Sequence, residues 1–170
     1  TLFVVEKVSP EKLRYQAKGY GSESLVEAYR EMLPGATETE LAIELGTDFT
    51  FKIPAIRHAE DRIAHGADTW MYQFDWESRN VHLKATHALE IPFVFNTLTS
   101  SGVAAFIGEG ELPQAVSDEM HGVWTSFIQG DEPGWPKYDL EKRTVKHFDD
   151  TSSLVDNGEW PRLNAWEGIR

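Results

Sequence analysis

Apolar residues recur along most of this chain at the three- and four-residue spacing of helices, and in one clear stretch at the two-residue spacing of a strand. Ser9-Pro10-Glu11 predicts a helix start, with Ser9 as cap and Pro10 in the first turn, where a missing N–H is harmless. Gly19 and Gly21 end that helix. Ser22 or Ser24 then caps a second helix over 25–33, in which Leu25, Tyr29 and Leu33 share a face, and Pro34-Gly35 stops it. Thr37-Glu38-Thr39-Glu40 opens a short third helix ending near Gly46. From Thr47-Asp48 a longer helix, carrying Phe49, Ile53, Ile56 and Ile63, runs to His65-Gly66. Pro54 lies inside it and should kink or divide it, because proline removes a backbone donor.

Trp70-Met71-Tyr72-Gln73-Phe74-Asp75-Trp76 alternates, predicting a main strand over about 70–76 with Trp70, Tyr72, Phe74 and Trp76 on one face. A polar loop over 77–86 holds His82, and apolar character returns over His87–Phe95. Residues 99–111 form a Gly- and Ser-containing connection. Pro113–Gln129 is the strongest helical pattern, with Leu112, Val116, Met120, Val123, Trp124 and Phe127 on one broad face and Gly130 as its stop. A compact turn over 131–136 leads to a short edge strand over about 143–148, and Arg162–Ile169 forms a terminal helix.

Composition narrows the possibilities. The 170 residues suit one domain, and 41% apolar with 26% charged residues excludes disordered or collagen-like chains. Stretches such as Leu2-Phe3-Val4-Val5 are far too short for a transmembrane helix, and no signal-peptide pattern is visible. Cysteine is absent, which removes disulfides, thiolate metal sites and a cysteine nucleophile and fits a reducing, cytoplasmic setting. The net charge of −12 carries no basic stripe: Lys12, Arg14 and Lys18 are interrupted or followed by Glu11, Glu23 and Glu27. Neither nucleic acid nor a membrane is therefore an expected partner. The apolar start, Thr1-Leu2-Phe3-Val4-Val5, is expected to be a cut inside a folded body.

Six histidines are the candidates for proton chemistry. His58, His65, His121 and His147 have no second group at a useful spacing, and His82 sits in a polar loop; all five read as packed or solvated. His87 differs in following a strand through a loop, where rigid scaffolds commonly present catalytic side chains. With an ordinary pKa of about 6.5, imidazole can take and return a proton near neutrality. Position alone still favours a structural role. His82 and His87 are five apart, which matches no zinc helix motif, so no metal is expected. No Gly-x-Ser-x-Gly nucleophile elbow occurs, and Gly21-Ser22-Glu23-Ser24 fails its spacing.

Four ordered segments change the weight on His87. His87-Ala88-Leu89-Glu90-Ile91-Pro92-Phe93-Val94-Phe95 closely resembles the catalytic-histidine segment of the type-B carboxylesterases, the α/β-hydrolase family that includes bacterial p-nitrobenzyl esterases and cholinesterases. Trp70–Trp76 resembles the strand leading to that loop. Trp124, Phe127, Gly130, Asp131, Pro133, Trp135, Pro136 and Tyr138 resemble the family's tail pattern, and Asp48, Phe49 and Pro54 its kinked helix.

The resemblance implies an α/β fold: residues 1–170 as a single carboxyl-terminal segment of an α/β-hydrolase catalytic domain, mostly helical around one main strand. Such a segment carries only the last member of a Ser-Asp/Glu-His order, with nucleophile and acid upstream. Thr1-Leu2-Phe3 looks like the residues just after the family's catalytic glutamate, and Glu6 does not fit that motif. The implied function is hydrolysis of carboxylic esters by a Ser-His-Glu triad to which this chain supplies His87, without any cofactor. The segment alone is expected to be inactive. Glu90 is expected to support the site structurally, and Phe93 and its neighbours to favour apolar esters. The expected partners are a small-molecule ester and either the upstream part of the protein or a second copy, along the open edge of the main strand. The alternative is a non-catalytic, cholinesterase-like adhesion module.

Overall fold

The computed structural model describes residues 7–169. The readings placed on Thr1-Leu2-Phe3 and on Glu6 lie outside the described residues. The chain divides into two compact units, one built from the residues up to Asp61 together with those from Asn157, the other Arg62–Asp156.

The first unit is helical. Helix α1 (Pro10–Gly19) starts as its sequence predicts, the Ser9 side chain accepting the Lys12 N–H. Helix α2 (Ser24–Met32) takes Glu23 as its cap residue, without a side-chain bond. Ser22 acts one step earlier, its Oγ accepting the Ser24 N–H at 3.1 Å. Helix α3 (Glu38–Thr47) opens on a reciprocal capping box between Thr37 and Glu40.

The expected kink at Pro54 is realised differently. Asp48–Lys52 form a π turn, in which the Ile53 N–H reaches back five residues to the Asp48 carbonyl, and α4 (Ile53–Ala64) follows directly. The wider turn takes up the strain near the proline without breaking the helical path. Leu13, Leu25, Tyr29, Leu41, Leu45 and Trp166 are wholly buried in this unit's core.

A charged network reaches from that core toward the surface. Asp48 is fully buried. The Arg162 guanidinium donates to its Oδ2 at 2.7 Å and to Glu44 at 2.8 Å. The Tyr29 hydroxyl also donates to Asp48 and accepts the Trp166 indole N–H at 2.7 Å. Burial, with the neighbouring Asp48 charge, pushes the Tyr29 phenol far above its ordinary range. Arg162 belongs to the terminal helix, expected over 162–169 and found as α8 (Trp160–Ala165), with Trp166 just past its end. Pro161 explains the shift, since it fits a helix's first turn.

The second unit holds the sheet. Strand β1 (Met71–Phe74) is shorter than the expected 70–76, because Asp75 and Trp76 both turn their N–H groups to the Phe148 carbonyl and leave the ladder. The crossover runs through α5 (Ile91–Val94), α6 (Val103–Ile107) and α7 (Gln114–Gln129) to β2 (Val145–Phe148), which pairs in parallel with β1. The strand expected at an edge over 143–148 is thus present but central. A third strand, β3 (Ser153–Val155), pairs antiparallel on its far side, and β1 is at an edge of the described sheet. Three residues are too few to show alternation, so β3 carries no sequence signal.

Candidate active site

The site is built upward from β1. Tyr72 and Phe74 share one face of the strand, and Phe74 packs edge-on against Phe93 with centroids 4.9 Å apart. Trp76 lies 5.1 Å from the same ring. Phe93, expected to shape the substrate pocket, is wholly buried: it joins the His87 segment to the sheet rather than facing a ligand. Helix α5 is then fastened to α7. Ser117 Oγ donates to the Phe93 carbonyl at 3.1 Å, and the His121 ring, read from sequence as merely packed or solvated, holds the Val94 carbonyl at 2.9 Å through Nδ1–H.

The loop between β1 and α5 is fixed by backbone. Ser78 N–H donates to Lys84 O, and Arg79 N–H to Ile107 O at 2.9 Å. Gly108, with φ of +85°, lets α6 end against this loop; a Cβ there would lie 2.8 Å from the Asn80 nitrogen.

His87 sits at the corner of a tight turn. The Leu89 N–H donates to the Thr86 carbonyl at 3.1 Å, so His87 and Ala88 are the two central residues. Ala88 has φ of +70°, as a type II turn requires at its third position. Thr86 and Leu89 are buried while His87 is exposed. Two anchored residues therefore hold a projecting imidazole.

Next to the turn lies an open groove walled by Tyr72, Glu90, Ile91, Phe95, His121 and Trp124. Burial, then the nearby Glu90 charge, raises the Tyr72 phenol above its ordinary value. Glu90 thus faces the strand that carries the site. Ile91, Phe95 and Ile128 are exposed apolar groups in this groove.

The other histidines are placed as follows. His58, His65 and His82 are exposed. His147 has a partner that sequence spacing could not show: its Nδ1 meets Asp75 Oδ2 at 2.5 Å across the parallel pair, 72 positions away. Gln73 Nε2 donates to the other oxygen of Asp75 at 2.6 Å. Among the described residues no group of three or more His, Asp or Glu is arranged to hold a metal ion. No helix among them is long and apolar enough to cross a membrane.

A sequence model described as "Carboxylesterase family" matches residues 5–166. The chain belongs to the carboxylesterase family. It is 30% identical over 141 residues to para-nitrobenzyl esterase of Bacillus subtilis (strain 168), covering 79% of this chain and 28% of that protein. It is 31% identical over 136 residues to acylcarnitine hydrolase of Rattus norvegicus, covering 72% of this chain and 23% of that one. In structure it resembles the Geobacillus stearothermophilus carboxylesterase EST55, with a TM-score of 0.81 at 32% identity over 94% of this chain and 35% of EST55. The chain thus spans about a third or less of the length of these relatives. Its helix-rich architecture with a small sheet is that of α/β-hydrolase esterases.

Proposed function

We propose that this chain is the carboxyl-terminal part of a serine carboxylesterase and that His87 is its general base. The observation that carries the reading is the projecting imidazole at a turn corner, anchored by buried Thr86 and Leu89 at the end of a strand–loop path. Family membership supports it, as do relatives that bear esterase names.

In the complete enzyme a serine Oγ attacks the ester carbonyl carbon while His87 takes its proton. The tetrahedral intermediate collapses, breaking the bond to the alkoxy oxygen, and His87 returns the proton to the departing alcohol. Water, deprotonated by the same ring, then attacks the acyl-serine; the acid leaves and serine recovers its proton. A glutamate orients the ring and stabilises the imidazolium. The sequence contains no Gly-x-Ser-x-Gly, so the nucleophile is assigned to another part of the protein. That part is also the partner we assign to the edge of β1.

Reconstitution tests this. Alone, the chain should not hydrolyse a p-nitrophenyl ester. Joined to the remainder of its protein it should, and His87→Ala in that assembly should lower kcat by about 10⁴-fold or more, as for other triad members. Substantial turnover by the isolated chain, or an active His87→Ala assembly, would end the proposal.

A further inference from the structure

A second recess of this unit, like the groove, is walled without His87. Trp70, Tyr72, Trp124, Phe127 and Trp135 wall a recess of about 140 Å³, with Val123 and Pro133 completing it. The rings brace one another edge to face: Trp70 against Phe127 at 5.8 Å, Tyr72 against Trp124 at 6.1 Å, and Trp135 against Phe148 at 6.1 Å. Rings held this way resist closing the space by rotation.

No charged side chain is in the wall. The nearby cation, Lys137, lies over the Trp70 ring at 5.6 Å from its centroid, and Asp68 binds it at 2.8 Å. An ion seated against these rings would lose part of its water without gaining a counter-charge. An apolar cavity of about 150 Å³ is large enough to take up benzene. Two wall residues, Trp70 and Trp135, also bury indole N–H groups with no acceptor in the protein, whereas most buried donors have one.

We infer that this recess is a binding site for an uncharged molecule about the size of one aromatic ring. The recess shares Tyr72 and Trp124 with the groove next to the His87 turn, but the inference does not require His87 to act as a base.

The chain's six tryptophans make the test direct. In ¹⁵N-labelled protein, toluene should shift the Trp70 and Trp135 indole N–H signals saturably. Trp76 and Trp166, whose N–H groups are bonded to Asp150 and Tyr29, should stay in place. Benzylammonium and benzoate should bind at least about tenfold more weakly, as burial of an unpaired charge requires. Val123→Phe should fill the space and abolish the toluene response. If that variant does not fold, xenon applied to the unmodified chain decides: shifts confined to the wall support the site, and none, or shifts spread over the core, overturn it. Linear, unsaturating toluene shifts overturn it, as does equal affinity for the charged probes. Loss of the response when the chain is joined to the remainder of its protein also overturns it, because the recess would then be part of an internal interface.

Discussion

At the scale of single residues, the turn around His87 joins a strained backbone to an exposed side chain. Ala88 adopts φ of +70°, which an L-residue with a Cβ reaches at a cost of about 1–2 kcal/mol. Ala88→Gly should therefore raise stability by about 1 kcal/mol in urea unfolding, whereas Ala88→Val should lower it; equal stabilities would contradict the turn assignment. Arg162 gives a sharper case. It faces the fully buried Asp48 at 2.7 Å, so Arg162→Leu leaves that carboxylate in the core with its main cation gone. A loss of about 3–5 kcal/mol is expected, the range for breaking buried pairs. Asp48→Asn should cost less, because Arg162 keeps Glu44 at 2.8 Å.

At the scale of elements, the devices are caps and cross-links. The capping box that opens α3 satisfies the Glu40 N–H through Thr37 and the Thr37 N–H through Glu40. Thr37→Ala should cost about 1 kcal/mol by thermal or urea unfolding. Helix α7 is tied to β2 and the turn after it by Glu119, which holds Lys146 at 2.7 Å and accepts from Ser152 at 2.6 Å. Burial tends to raise this carboxyl's pKa, but the bonds from Lys146 and Ser152 outweigh it and hold the group below its ordinary value. A carboxyl depressed on folding stabilises the protein fully above its unfolded pKa, about 4.3, and less as pH falls through the folded value. Glu119→Gln should therefore lower stability at pH 7, by under about 1 kcal/mol given partial exposure to solvent, and leave it unchanged near pH 2. A pH-independent difference between the two proteins would refute the assignment.

At the scale of the molecule, β1 is an edge of the described sheet, and large apolar groups such as Phe95 and Ile128 are 67% and 76% exposed. Open edges and exposed apolar groups favour association. Sedimentation of the isolated chain should show concentration-dependent self-association, relieved when the remainder of the protein is supplied. A strictly monomeric chain would count against the partner assigned to this edge.

Local signals reached far into the fold. Ser9-Pro10, Thr37–Glu40 and Gly130 set helix ends through neighbours within four residues, so the sequence alone marks α1, α3 and α7. The aromatic alternation around Tyr72 marks β1, and the ordered segments about His87 mark the family and the loop. What reached furthest from its sequence signal was long-range pairing. The pairing of β2 with β1, the joining of Asp75 to His147, the clamp of His121 on Val94, and the bond from Ser117 to the Phe93 carbonyl each depend on residues 20 or more positions apart. Periodicity shows which face of an element is apolar but not what covers it. Determined by the chain alone are the ends of helices that carry their own caps and which imidazole follows the strand; decided by the tertiary structure are the burial of Thr86 and Leu89 on either side of His87 and the packing that leaves an aromatic recess between β1 and α7.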